Sequence, residues 1–166
     1  MLLDLSKIID CPGASVSFSV SLDLSDLQFG SCFPLKAPIT AEGSVRNSAG
    51  VLMMTGDIGA HLNPVCDRCG SEYEEDITLP LDVVLVTEFA DEDHEDERTF
   101  PLDGNDADLD EIIRTVFILN MDTKFLCSDD CLGLCCGCGV NLNRETCRCK
   151  KEIDPRFAAL QQLLNQ

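Results

Sequence analysis

Seven of the chain's 11 cysteines fall within the 23 residues 127–149. That segment carries few apolar side chains, chiefly Leu132, Leu134, Val140 and Leu142. It cannot bury enough surface to fold alone, whereas a bound metal ion worth ~10 kcal/mol can organise such a loop. Cys135-x-x-Cys138-Gly139 has the form of a zinc knuckle. Two thiolates three positions apart can face one ion, and the glycine lets the backbone turn so that its amides point at sulfur. Cys127 and Cys131 precede it at spacing four, and Cys147-x-Cys149 follows. A tetrahedral all-sulfur site takes four ligands from Cys127, Cys131, Cys135, Cys138, Cys147 and Cys149, with Cys136 as a further thiol. The expected cofactor is a structural Zn²⁺. An iron–sulfur cluster and unligated thiols are the other readings, although the spacing matches neither ferredoxin pattern.

Cys66-Asp67-Arg68-Cys69-Gly70 is a second turn of the same form. Three readings stand for it. It is a metal half-site completed by Cys135 and Cys138, a reversible thiol pair, or a plain hairpin turn. A thioredoxin-type pair opens a helix after a strand, and here the pair joins two strands. Cys11 and Cys32 are isolated and read as buried or partly buried fillers.

Upstream, the pattern is β. Val16, Phe18, Val20 and Leu22 alternate with serines, as a half-buried strand does. Residues 39–46 form a second strand, with Ile39, Ala41, Gly43 and Val45 on one face. The run 47–50 is turn chemistry, because Asn47 and Gly50 tolerate positive φ. Residues 51–65 give a third strand, bulged at Gly56 or Gly59, and 73–86 a fourth. Short connections make this an antiparallel meander. Asp108 reads as an N-cap, with Asp110 and Glu111 in the first turn. Leu109, Ile112, Ile113, Val116 and Phe117 then line one helical face, which packs on the sheet. Asp154-Pro155 opens a short last helix with Phe157, Leu160, Leu163 and Leu164 as its stripe. The expected fold is therefore α+β: an antiparallel sheet or partly open barrel with a packed helix, then a cysteine-rich, zinc-finger-like segment and a short terminal helix. The expected division is a body over 1–120, with an acidic loop over 90–108, and a finger and helix over 121–166.

Charge narrows the function. The net charge is −18, and six acids fall in residues 91–97 with five more between Asp103 and Glu111. Such a chain does not coat nucleic acid or an anionic membrane non-specifically. The acidic run is a solvated loop or a docking strip for a basic partner. Arg144, Arg148, Lys150, Lys151 and Arg156 cluster against this background and are the candidates for RNA phosphate contact, or simply balance nearby acids. The first residues lack a basic leader, Asp4 interrupts the apolar run, and no stretch is long enough to span a bilayer, so a cytoplasmic protein is expected. Clustered cysteines in a reducing compartment bind metal or do redox work. No Ser/His/Asp set, phosphate loop or His-Glu zinc signature is visible, so no enzyme is expected.

Together these features resemble the YceD-like family of large ribosomal RNA subunit accumulation proteins. The likeness rests on the Cys66-x-Arg68-Cys69 turn after strands, the acidic middle, the helix beginning at Leu109, the Gly133–Asn143 core and the Asp154-Pro155-Arg156 tail. Cys136 stands where proline is common in the family, which opens oxidation or alternative ligation there. The resemblance implies a non-catalytic accessory factor in large-subunit ribosomal RNA accumulation, processing or ribosome assembly. Its implied partner is ribosomal RNA or a pre-ribosomal particle, reached through a basic protein partner or directly, with no membrane and no small-molecule substrate. The rival functions are an acidic protein-interaction module without RNA contact and a thiol redox protein using Cys66 and Cys69.

Overall fold

A computed structural model describes residues 1–30, 32–87 and 98–149. The acidic run 91–97, the candidates Lys150, Lys151 and Arg156, and the expected last helix lie outside the described residues. Four strands follow the expected meander. β2 (Ser15–Leu22), β3 (Ile39–Ser48), β4 (Val51–Leu62) and β5 (Glu75–Val86) pair antiparallel in sequence order. Beside them, β1 (Leu2–Asp4) pairs with β7 (Asp106–Asp108) in a separate two-stranded sheet. β6 (Thr99–Pro101) adds to β5 in parallel, so the five-stranded sheet is mixed, and it does not close into a barrel. The short helix α1 (Ser6–Ile9) and the 12-residue α2 (Leu109–Asn120) complete the described elements.

The alternation seen in the sequence is the alternation of burial. Ile39, Ala41 and Val45 of β3 and Met54, Ile58 and Leu62 of β4 face inward. α2 covers that face, with Leu109, Ile112, Ile113, Val116 and Phe117 all buried. Asp108 caps it, its side chain accepting a hydrogen bond from the Asp110 amide. Phe29 sets its edge against Phe117 and Phe125, with ring centroids 6.2 and 6.4 Å apart. Such T-shaped pairs match the ring quadrupoles.

Three local expectations are corrected. Strand β4 ends at Leu62 rather than residue 65, and β5 begins at Glu75, which leaves 63–74 as a loop. Neither Gly56 nor Gly59 is a bulge, because the β3–β4 register runs unbroken from Thr40 opposite Gly59 to Ser48 opposite Val51. Gly56 instead lies opposite Gly43, and the two backbones approach so closely that a Cβ on either would collide with a carbonyl of the facing strand. The hairpin also departs from expectation. Its left-handed residues are Ala49 (φ 54°) and Gly50 (φ 94°), the arrangement of a two-residue turn that suits strand twist.

Asn47 is therefore not a turn residue but the last inward position of β3. It is 1% exposed. Its Nδ2 donates to the carbonyls of Ile8 and Ile9 at 2.8 and 2.7 Å, and its Oδ1 accepts from the Gly50 amide at 2.8 Å. One amide thus satisfies the end of α1 and the hairpin together. Asn47→Ala is expected to cost about 1–3 kcal/mol, because buried carbonyls lose their donor. Urea unfolding measures it, and a loss below the lower bound would show that water replaces the amide.

Candidate metal centres

The loop between β4 and β5 carries the first knuckle. Val65 and Glu72 form a bridge, and the Cys66 amide donates to the Ser71 carbonyl at 2.9 Å. The Gly70 amide returns to the Cys66 carbonyl at 2.8 Å, with Gly70 at φ 68°. The second knuckle repeats each part. Leu134 and Asn141 bridge, the Cys135 amide donates to Val140 at 2.9 Å, and the Gly139 amide donates to Cys135 at 2.8 Å, with Gly139 at φ 73°. In both, the final glycine takes the left-handed conformation that other residues resist.

The sulfurs gather into two groups of four. Cys66, Cys69, Cys127 and Cys131 form one, and Cys135, Cys138, Cys147 and Cys149 the other. Within each group all Sγ atoms lie within 4.8 Å of one another, so each could hold a metal ion. No disulfide is formed by any of the 11 cysteines. The six candidate ligands, expected to supply one site of four, are instead divided between the two groups. The half-site at Cys66 and Cys69 is completed by Cys127 and Cys131, not by Cys135 and Cys138. Cys136 is exposed and belongs to neither group. Cys32 is half-buried as expected, but Cys11 is exposed.

Backbone contacts decide which pair closes the first group. The Asp67 amide donates to the Phe125 carbonyl at 2.9 Å, and the Phe125 amide donates to the Asp67 carboxylate at 2.8 Å. The Arg68 guanidinium donates to the carbonyls of Asp129 and Cys131, both at 3.0 Å. These bonds clamp residues 125–131 over the 66–70 turn. Arg68 is a residue that sequence reasoning left without a role. Its place inside the knuckle is the only signal the chain offers for it. Asn143 reaches the same group, its Nδ2 donating to the Cys131 sulfur at 3.3 Å, as an outer-shell hydrogen bond to a ligand would.

The second group is local and open. Amides of Gly137 and Cys149 donate to the sulfurs of Cys135 and Cys147 at 3.4 and 3.2 Å. A Cβ at Gly137 would stand 3.3 Å from the Cys149 sulfur, so the glycine leaves room for that ligand. Arg144 and Arg148 line an open hollow beside Cys138 with Val140, Glu145 and Thr146.

Within each group the thiols hold one another at unequal protonation. Burial pushes the Cys66 thiol up, but the amides of Cys127, Cys69 and Arg68 outweigh it and hold the thiol at about 6. Hydrogen bonding from Ser71 lowers Cys69. Cys127, which must stay protonated to bond the sulfurs of Cys69 and Cys66, is pushed up to about 12. In the second group the Cys138 amide leads in lowering Cys135 to about 6, while bonds to Cys138 and Cys147 raise Cys149 to about 12. Without a cation, four adjacent thiolates cannot coexist, and a divalent ion removes that restriction. The depressed thiols give stability that is present above the ordinary thiol range and is lost as pH falls through about 6. Metal retention is expected to follow the same sign. Dialysis at stepwise lower pH, followed by metal analysis, should show metal lost as protons compete for the sulfurs, whereas retention independent of pH would contradict it.

Residues 54–164, which contain both sulfur groups, match the family described as "Large ribosomal RNA subunit accumulation protein YceD". The chain is 23% identical over 182 residues to "Large ribosomal RNA subunit accumulation protein YCED homolog 1, chloroplastic" of Arabidopsis thaliana, covering 92% of this chain and 55% of that protein. It is 31% identical over 119 residues to an uncharacterised protein of Mycobacterium bovis, covering 70% of this chain and 57% of that one. An uncharacterised Mycobacterium tuberculosis protein matches to the same extent. The chain thus spans a little over half the length of the curated relatives it matches. No solved structure matches it. No helix among the described residues is long and apolar enough to cross a membrane. With most of its length, both knuckles included, inside the family match, the chain belongs to the YceD family of large ribosomal RNA subunit accumulation proteins.

Proposed function

We propose that the chain is a non-catalytic, cytoplasmic accessory factor in large-subunit ribosomal RNA accumulation, acting in RNA processing or ribosome assembly. The observation that carries this reading is the family match over residues 54–164. In this scheme the acidic run 91–97 engages a basic protein partner, and the cysteine-rich lobe turns Arg144 and Arg148 toward RNA of a pre-ribosomal particle. The metal is Zn²⁺, in a structural role. A Zn–S bond of ~2.3 Å implies a tetrahedral S···S edge of ~3.8 Å. The contacts Cys66···Cys131 at 3.8 Å, Cys69···Cys127 at 3.6 Å and Cys138···Cys147 at 3.7 Å lie near that edge, and Cys135···Cys147, at 3.1 Å, would have to open to reach it. Grouping of Cys66 and Cys69 with two more sulfurs supports a metal site over a two-thiol redox pair.

Loss of the gene is expected to lower large-subunit relative to small-subunit ribosomal RNA, and an unchanged ratio would reject the role. Direct contact is tested separately. Arg148→Glu should weaken crosslinking to ribosomal RNA and reduce the salt dependence of binding by about one phosphate contact. Unchanged affinity and salt dependence would remove Arg148 from the interface. Charge reversal across 91–97 that breaks a protein partnership, in a wild-type chain that never crosslinks to RNA, would favour a pure interaction module.

A further inference from the structure

We propose that the chain holds two Zn²⁺ ions with different duties. One, on Cys66, Cys69, Cys127 and Cys131, fastens the segment after α2 to the β4–β5 loop and is retained. The other, on Cys135, Cys138, Cys147 and Cys149, folds an exposed lobe and exchanges readily. The inference rests on the zinc assignment above, and it is independent of any role in ribosomal RNA.

Three differences between the groups carry it. The first is the length of chain each group closes. Contacts within the first group join residues 58 and 65 positions apart, whereas those in the second join residues 12 and 9 apart. Closing the longer loop restricts far more of the chain, so the first ion links two parts of the fold and the second shapes only its own loop. The second difference is cover. Cys66, Cys69 and Cys131 are 2%, 6% and 6% exposed, with Tyr73 and Leu126 packed against them. In the second group Cys138 and Cys149 are exposed and no apolar cluster covers it among the described residues. A chelator or competing thiol must reach the ion to displace a ligand; the first group offers it Cys127 alone, whereas the second offers both Cys138 and Cys149.

The third difference is scaffolding. The first knuckle is built on two long paired strands and is clamped by Asp67 and Arg68. The second knuckle leans on the first. The Leu134 amide donates to the Arg68 carbonyl at 3.1 Å, and Gly133, at φ 74°, is where the two turns touch, its missing Cβ leaving 3.0 Å to that same carbonyl. Return contacts come from the asparagines of the lobe, Asn143 Nδ2 to the Cys131 sulfur at 3.3 Å and Asn141 Nδ2 to the Ser71 hydroxyl at 3.4 Å, and not from its cysteines. The outer lobe sits on the inner site, whereas nothing in the inner knuckle's own hydrogen bonds needs Cys147 or Cys149.

The test combines native mass spectrometry, release of zinc to a chromogenic chelator, and hydrogen exchange. Wild-type protein should carry two ions and release them in two phases of equal amplitude. Cys149→Ser should carry one ion, lose the fast phase, and keep amide protection over 66–70 and 125–131. Cys69→Ser should lose the slow phase. Should Cys69→Ser fail to fold, partial chelation of wild type followed by alkylation decides the order, with Cys138 and Cys149 modified before Cys66 and Cys69. A single ion in wild type, one kinetic phase, or loss of the slow phase in Cys149→Ser would overturn the two-ion scheme. A wild-type protein purified under reducing, chelator-free conditions with no zinc at all would instead reject the zinc assignment beneath it.

Discussion

Complete removal of metal should let residues 126–149 exchange their amide hydrogens at nearly the rate of an unfolded chain, while β3, β4, β5 and α2 stay protected. The reason lies in what each part buries. Leu81, Val83 and Leu85 of β5 and the whole apolar face of α2 are sealed in one core. Past residue 125, Cys131 is the only buried apolar side chain among the described residues, and Leu132 and Leu134 stand 68% and 48% exposed. Burial worth ~25 cal/mol per Å² has almost nothing to act on there, whereas a sulfur-bound zinc brings binding free energy of ~10 kcal/mol or more at neutral pH. Heating the stripped protein should then show a single transition, that of the body, since the lobe has no folded state left to lose. Hydrogen exchange read by mass spectrometry decides the matter. Persistent protection over 126–149 in stripped, reduced protein would mean that hydrogen bonds such as those from Arg68 suffice without an ion.

Phe117→Ala should have the largest effect on the body. The ring is fully buried on α2 and meets the edge of Phe29, which in turn meets Phe125. Truncation leaves a cavity and breaks that aromatic chain, at about 4 kcal/mol. For a chain of this size the melting temperature should fall by roughly 8–16 °C. Leu119→Ala, two positions on but 54% exposed, should change it little. Calorimetry of the two variants side by side checks the pair, and equal losses would show that α2 does not pack by the face assigned to it. Because Phe125 leads directly into the first cysteine group, the Phe117 variant should also loosen the 125–131 segment.

The uneven charge along the sequence separates salt-sensitive contacts from salt-insensitive ones. Salt should weaken contacts made through residues 91–97 or through Arg144 and Arg148, and should leave the sulfur sites and the core alone.

Much of the body was legible because its signals are short-range. Serine alternation in β2 and the 3.6-residue stripe of α2 each specify an element and the face it buries, and Asp108 specifies where the helix starts. The small strands β1, β6 and β7 were not legible. Each is three residues long and exists only because a partner elsewhere in the chain offers its edge. Asn47 misled for a related reason. Its residue type favours turns, but burial at the end of β3 gave it α1 to satisfy. Gly56 likewise read as a bulge, when the constraint was the close passage of Gly43 on the neighbouring strand.

The cysteines divide along the same line. Spacing alone brought Cys66 to Cys69 and Cys135 to Cys138, because three residues and a glycine bring two sulfurs to one side of a turn whatever surrounds it, but it left the first pair open between a metal half-site, a thiol pair and a plain turn. Which distant pair completes the first set of four is a question of approach between segments some sixty residues apart, and the chain's local code holds no record of it. Only the tertiary structure decided that, through the hydrogen bonds of Asp67 and Arg68 that draw residues 125–131 over the first turn and leave Cys147 and Cys149 for the second.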